Sequence, residues 1–149
     1  MKLCLACSTG GHLTEMVLLT EDYCKRHEHF FISFKRIDSV ELSKKHKVFF
    51  VVDPKRNPFS LIHNFIQSFF ILLKEKPDAV IANGAGVSLP ALFIAKITGK
   101  KTLYVEPFCN INAPSLTGKI AYRFADLFLV QWKENLKFYP KAKFKGGLF

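Results

Sequence analysis

The chain has 149 residues, room for one domain with a real core and little for a second. Hydrophobic residues make up 49% of it and aromatics 14%, with 16 Phe, which excludes a disordered chain; 23% charged residues exclude a protein embedded in lipid throughout. The net charge of +10 favours anionic partners, but arginine is confined to Arg26, Arg36, Arg56 and Arg123 and no nucleic-acid module is present, so phosphorylated ligands or anionic lipid are expected and nucleic acid is not.

The first predicted strand covers residues 2–7. Its apolar run is too short for a signal-peptide core, so a secreted protein is not expected. Cys4 and Cys7 have C-x-x-C spacing, but residues three apart on a strand point to opposite faces and no second cysteine pair follows. No metal site is expected, and the cysteines read as buried reduced thiols. Ser8-Thr9-Gly10-Gly11-His12 then leads into a helix over 13–25. Paired glycines let the backbone turn sharply and approach a ligand, and the amides at a helix start suit a phosphate or diphosphate. A plain strand-to-helix turn is the other reading of this loop.

A strand over 28–34, a helix over 37–44 and a strand over 47–52 follow. The helix predicted over 58–74 is unusual. Its apolar residues include Phe59, Ile62, Phe65, Ile66, Phe69 and Phe70, while Ser60, His63, Asn64, Gln67 and Ser68 form an uncharged polar stripe. The sixteen residues from Pro58 to Leu73 span about 24 Å as a helix, short of a hydrocarbon core of about 30 Å. Lys55 and Arg56 before it, and Lys74 and Lys76 after it, suit a helix lying in the interface of an anionic membrane. An ordinary core helix is the alternative.

A strand over 79–82 leads to the second glycine loop, Asn83-Gly84-Ala85-Gly86-Val87-Ser88, and a helix over 88–97. This is a partial G-x-G-x-x-G, with Leu89 in place of the third glycine; with Glu106 ending the next strand, 101–105, it leaves open a stand-alone nucleotide- or dinucleotide-binding oxidoreductase. A helix over 115–124 and a strand over 127–131 complete the pattern. Alternating β and α with near-continuously apolar strands predicts an α/β, Rossmann-like, doubly wound parallel sheet. Ligands of such sheets bind beyond the carboxyl ends of the strands, so the loops after the first and fourth strands should flank one crevice.

Both loops resemble those of GT-B glycosyltransferases acting on polyprenyl-diphosphate acceptors: Cys7-Ser8-Thr9-Gly10-Gly11-His12 is similar to the first, Lys76-Pro77-Asp78 through Asn83-Gly84-Ala85-Gly86 to the second. Tyr104-Val105-Glu106-Pro107-Phe108, Pro114-Ser115-Leu116-Thr117-Gly118-Lys119, the run from Ala125 to Trp132 and the ending Gly146-Gly147-Leu148-Phe149 extend the likeness over nearly the whole chain. Together they resemble a family of half-length proteins: the PssD and CpsF type of bacterial exopolysaccharide assembly, and the asparagine-linked glycosylation protein fourteen family. They also resemble the N-terminal half of MurG-like enzymes.

The resemblance implies one domain over 1–149, the N-terminal acceptor half of a GT-B glycosyltransferase, inactive alone. It implies a lipid-linked sugar diphosphate acceptor, a separate donor-binding subunit in a heterodimer, a UDP-sugar that arrives on that partner, and no cofactor of its own. Eukaryotic members carry an N-terminal membrane helix, whereas here the first strand starts at once, so attachment is expected to be peripheral, at the cytoplasmic face. The acceptor diphosphate is expected on Ser8, Thr9, Gly10, Gly11, Asn83, Gly84, Ala85, Gly86 and Ser88, membrane contact through the apolar face of the 58–74 helix, and partner docking through Gly147, Leu148 and Phe149. Glycosyl transfer needs a base for the acceptor hydroxyl. His12 opens a helix, whose dipole favours the neutral imidazole, so it serves as base or as an acceptor contact. Glu106 would bind sugar hydroxyls or assist the base, or else make a loop hydrogen bond. Glu15 is expected to satisfy the helix dipole, Asn110 and Asn112 to offer polar contacts, and His27, His29, His46 and His63 to be surface or structural.

Overall fold

A computed structural model describes residues 1–148. Strand and helix alternate: β1 (Lys2–Cys7), α1 (Gly11–Cys24), β2 (Glu28–Ser33), α2 (Ile37–Ser43), β3 (Val48–Phe50), α3 (Pro58–Glu75), β4 (Ala79–Asn83), α4 (Leu89–Ile97), β5 (Lys101–Val105), α5 (Leu116–Ala121) and β6 (Leu127–Val130). A 3₁₀ helix, Lys133–Lys137, and a two-residue strand, β7 (Lys143–Phe144), follow without a periodic signal in the sequence.

The sheet is parallel throughout, in the order β3-β2-β1-β4-β5-β6-β7. The chain winds outward in one direction from β1 and in the other from β4, so the topological switch falls between these two neighbours. Register sets the height of the loops. Cys7 pairs with Asn83, and Asn83 with Val105, so three strands end level and the two glycine loops emerge side by side.

The central strands are apolar on both sides because both sides are covered. Cys4, Ala6, Phe30, Ile32, Val80, Ala82, Tyr104 and Phe128 pack under α3, α4 and α5. Leu3, Leu5, Cys7 and Phe31 pack under α1 with Leu13 and Met16. Cys4 and Cys7 therefore lie in different cores, and burial pushes the Cys7 thiol up to about 12. Among the described residues, no group of three His, Cys, Asp or Glu is placed to hold a metal.

Two predicted elements are shorter than expected by more than one residue. β3 stops at Phe50 because the Val52 amide donates to Gln67 Oε1 (2.8 Å) and the Val52 carbonyl accepts from Asn64 Nδ2 (2.8 Å), both on α3. α5 ends at Ala121, where the amides of Arg123 and Phe124 bond back three residues and tighten the last turn. Helix starts are well defined: Asn57 Oδ1 accepts from the Phe59 amide with Pro58 in the first turn of α3, and Ser115 Oγ accepts from the Gly118 amide.

Candidate functional site

The two glycine loops touch. Gly84 has φ 84°, in the left-handed region, and the His12 imidazole lies against it so closely that a Cβ at residue 84 would clash severely with its Cδ2. From below, Tyr104 Oη donates to the Gly84 carbonyl (3.1 Å) and holds the second loop to β5. Gly10 also has positive φ (75°), and the amides of Leu13 and Thr14 are the first of α1 to bond back, both to the Gly10 carbonyl. The amides of Gly11 and His12 precede the first intrahelical bond, as at any helix start. Gly10, Gly11 and Ala85 are exposed, Gly86 and His12 half-buried, and Ser8 and Thr9 buried. Thr9 Oγ1 is buried with no hydrogen-bond partner among the described residues, an unmet polar group within the first loop. Burial lowers the His12 imidazole below the usual histidine value, against a smaller upward pull from Glu15.

One feature of the first loop carries no local sequence signal. The Gly10 amide donates to Asp38 Oδ2 of α2 at 2.5 Å. A carboxylate thus already occupies the most forward amide of the loop, and the Gly11 and His12 amides are the ones left without an intrahelical acceptor.

Glu15, assigned to the helix dipole from sequence, is 8% exposed and is the hub under the crevice. It accepts from Asn83 Nδ2 (3.0 Å), Gln131 Nε2 (3.1 Å) and the Phe108 amide (3.1 Å), tying α1 to the carboxyl ends of β4, β5 and β6. Two side chains expected on the diphosphate turn inward instead. Asn83 is fully buried on Glu15, and the fully buried Ser88 donates to the Ala85 carbonyl (3.0 Å), so neither presents its side chain to the crevice. Glu106 is likewise fully buried. Its Oε1 accepts from Asn110 Nδ2 (3.1 Å) and the Ser115 amide (2.8 Å), and its Oε2 from Ser115 Oγ (3.0 Å), so it organises the loop into α5 rather than facing sugar hydroxyls. Burial raises its carboxyl above the usual range, partly offset by these bonds. Asn110 is spent on Glu106, and Asn112 is exposed.

α3 turns much of its polar stripe inward: Asn64 and Ser68 are fully buried, Ser60 and Gln67 half-buried and only His63 exposed. Ser68 Oγ donates to Asn64 Oδ1 (2.9 Å), Asn64 and Gln67 hold Val52, and Leu72, with Phe65 and Ile71 beside it, joins them on the core. Most of the apolar side faces out, with Phe59 81% exposed, Phe70 63%, Ile62, Ile66, Phe69 and Leu73 exposed, and Phe93 and Ile97 extending the surface onto α4. Phe65 departs from the expectation. It is half-buried and packs edge-on against Phe93 at 6.1 Å. No helix among the described residues is long and apolar enough to cross a membrane.

On the opposite side of the sheet, beyond the edge of α1, the outward residues of β4, β5 and β6 stay half-uncovered. Ile81, Leu103, Leu127 and Leu129 line a depression of about 490 Å³ with Leu3, Leu19 and Tyr23. Gly147 is exposed and borders another depression with Phe108, Trp132 and Phe144; Leu148 is half-buried, and Phe149 lies outside the described residues. His29 and His46 form a structural pair, with ring nitrogens 2.9 Å apart.

A family model described as "Oligosaccharide biosynthesis protein Alg14 like" matches residues 51–148. The "UDP-N-acetylglucosamine transferase subunit ALG14" of Mus musculus is 32% identical over 99% of this chain and 83% of its own length, and that of Saccharomyces cerevisiae 27% identical over 99% and 77%. Among solved structures, MurG of Acinetobacter baumannii superposes with a TM-score of 0.75 at 15% identity, over 90% of this chain and 43% of its own. The UDP-N-acetylglucosamine 2-epimerase of Rickettsia bellii does so with 0.79 at 16% identity, over 99% and 45%. These two likenesses establish the fold, a Rossmann-like half of a chain more than twice as long. None of these relatives is an oxidoreductase.

Proposed function

The chain belongs to the Alg14 family of oligosaccharide biosynthesis proteins, and from that membership we propose that it is the acceptor-holding subunit of a UDP-N-acetylglucosamine transferase working at a membrane surface. The observation that carries this reading is the contact of the two glycine loops through His12 and Gly84 at the switch point of the sheet. The crevice so formed takes the diphosphate of a lipid-linked sugar on the Gly11 and His12 amides and the unpaired Thr9 hydroxyl. His12, kept neutral by burial, is the general base. It takes the proton of the acceptor hydroxyl as that oxygen attacks the anomeric carbon of the donor sugar; the bond from that carbon to UDP breaks, and UDP leaves on the partner. Asp38, Glu15, Tyr104 and Glu106 are positioning residues. They hold, in turn, the first loop, α1, the second loop and the loop into α5.

Two surfaces support the rest of the reading. The apolar side of α3 faces outward although a core lies on its other side, which suits a membrane interface at the cytoplasmic face. The half-covered face of β4 to β6 suits a partner chain that reaches from there over the carboxyl ends of the strands to bring the donor to the crevice. The dinucleotide alternative loses its ribose contact, because Glu106 is enclosed.

The test is reconstitution. The purified chain with UDP-N-acetylglucosamine and a lipid-diphosphate acceptor should transfer nothing until the partner subunit is added. His12→Ala should lower turnover of the pair by about 10²- to 10⁴-fold without weakening assembly. Unchanged turnover would remove His12 from the chemistry, and turnover by the isolated chain would refute the two-subunit arrangement.

A further inference from the structure

At the carboxyl ends of β2 and β3, on the flank of the first glycine loop, lies an open depression of about 620 Å³. Lys35, Arg36 and Lys55 line it, with Asp53 the opposing acid and Ser60 of α3 on its wall. Among the described residues none of these three cations has an ion-pair partner, which is common to most lysines of the chain; what sets the three apart is that they line one depression. Asp53 is turned to the local backbone, its Oδ1 accepting from the Lys55 amide (3.3 Å). Lys55 and Arg56 are successive non-glycine residues in the left-handed region, φ 44° and 59°, a conformation that needs support from its surroundings. That turn carries Lys55 into the wall of the depression and leads directly into α3, whose first exposed aromatic is Phe59.

We propose that Lys35, Arg36 and Lys55 form a binding site for the phosphate of an anionic lipid headgroup, seated at the N-terminal end of α3. This rests on the membrane reading of α3 and deepens it. The apolar side chains supply adhesion to any bilayer; the three unpaired cations supply selectivity for a phosphate-bearing, negatively charged one and fix which end of α3 lies at the headgroups. The site is local, distinct from the diffuse effect of the net charge of +10.

Sedimentation with vesicles of phosphatidylcholine, and of the same lipid with phosphatidylglycerol added, measures a neutral partition coefficient and an anionic increment. K35Q/R36Q/K55Q should leave the neutral coefficient unchanged and reduce the increment by one to two orders of magnitude, at about fivefold per cation. K141Q/K143Q/K145Q, which removes the same charge beside β7, should leave the increment in place. Equal losses from both triples, or no loss from the first, overturn the site while leaving α3 untouched. A wild-type chain that ignores both kinds of vesicle overturns the membrane reading of α3 and the lipid ligand with it. Glycerol phosphate separates the sources: if the first triple abolishes its binding but leaves the vesicle increment intact, the pocket takes a free phosphate and the lipid assignment fails.

Discussion

His12 owes its place to the absence of a side chain at residue 84. A Cβ there meets the imidazole, and φ 84° is strained for any L side chain, so Gly84→Ala should cost about 1–3 kcal/mol of stability and displace the ring. Gly86 lies two residues on, with open space where its Cβ would be and an ordinary φ; Gly86→Ala should change the melting temperature little. Thermal unfolding and turnover of the reconstituted pair separate the two. G84A should lose both stability and transfer, and any loss of transfer in G86A would report a ligand that approaches the backbone closely. Burial lowers His12 below the ordinary histidine value, so kcat/KM of the pair should hold through pH 6.5 and fall only as the pH drops through a lower value. An acid limb at or above 6.5 would contradict a buried neutral base. His12 and the glycines are legible in the sequence because a loop motif is local. Asp38 on the Gly10 amide and Glu15 under three strands are not, because both contacts exist only once β2, β1, β4 and β5 are known to be neighbours. The inward turn of Asn83 and Ser88 is hidden for a related reason: residues at a strand end and a helix start face either way until the register is known.

At the scale of the element, α3 shows what periodicity does and does not disclose. Helical spacing separates a polar stripe from a wide apolar arc, and length and flanking charge suggest an interface. Which side faces in depends on Val52. The end of β3 leaves the ladder there, and its amide and carbonyl require polar partners, which Gln67 and Asn64 supply from the side of α3 that a core would otherwise want apolar. The same rupture shortens β3, whereas β1 and β5, with no such demand, end where their apolar runs end. Two substitutions on one helix should therefore behave oppositely to habit. Asn64→Ala leaves the Val52 carbonyl and the Ser68 hydroxyl without their buried partner and should cost about 2–3 kcal/mol in denaturant unfolding. Phe70→Ser, at a position 63% exposed, should cost under about 0.5 kcal/mol while weakening adhesion to neutral vesicles. A strongly destabilised F70S would mean that the apolar side is part of the protein's own core.

Across the whole molecule, the sheet is wound on two sides but not equally covered. Under α3, α4 and α5 the residues of β4 to β6 are closed off, Val80, Ala82, Tyr104, Phe128 and Val130 all being 5% exposed or less. Their alternates on the other side, Ile81, Leu103, Leu127 and Leu129, are each half-exposed, because the chain after β6 continues into the 3₁₀ helix and β7 instead of crossing back over that side. A parallel sheet with a bare apolar side is unusual, since its strands are normally covered on both. The solved relatives of this fold carry more than as much chain again; under the two-subunit function proposed above, the partner is what covers this strip. Leu127→Asp puts a charge on the bare strip at a position already partly wet, so the chain itself should lose little stability. Burying an unpaired carboxylate under a partner costs several kcal/mol, so affinity for the donor-binding subunit should fall by more than tenfold in titration calorimetry, and transfer should fall in proportion at limiting partner. Amide protection or chemical footprinting of β5 and β6 on mixing should change in the same strip. If Leu127→Asp assembles as tightly as the native chain, the partner docks elsewhere, and the strip must be covered by something other than the donor half.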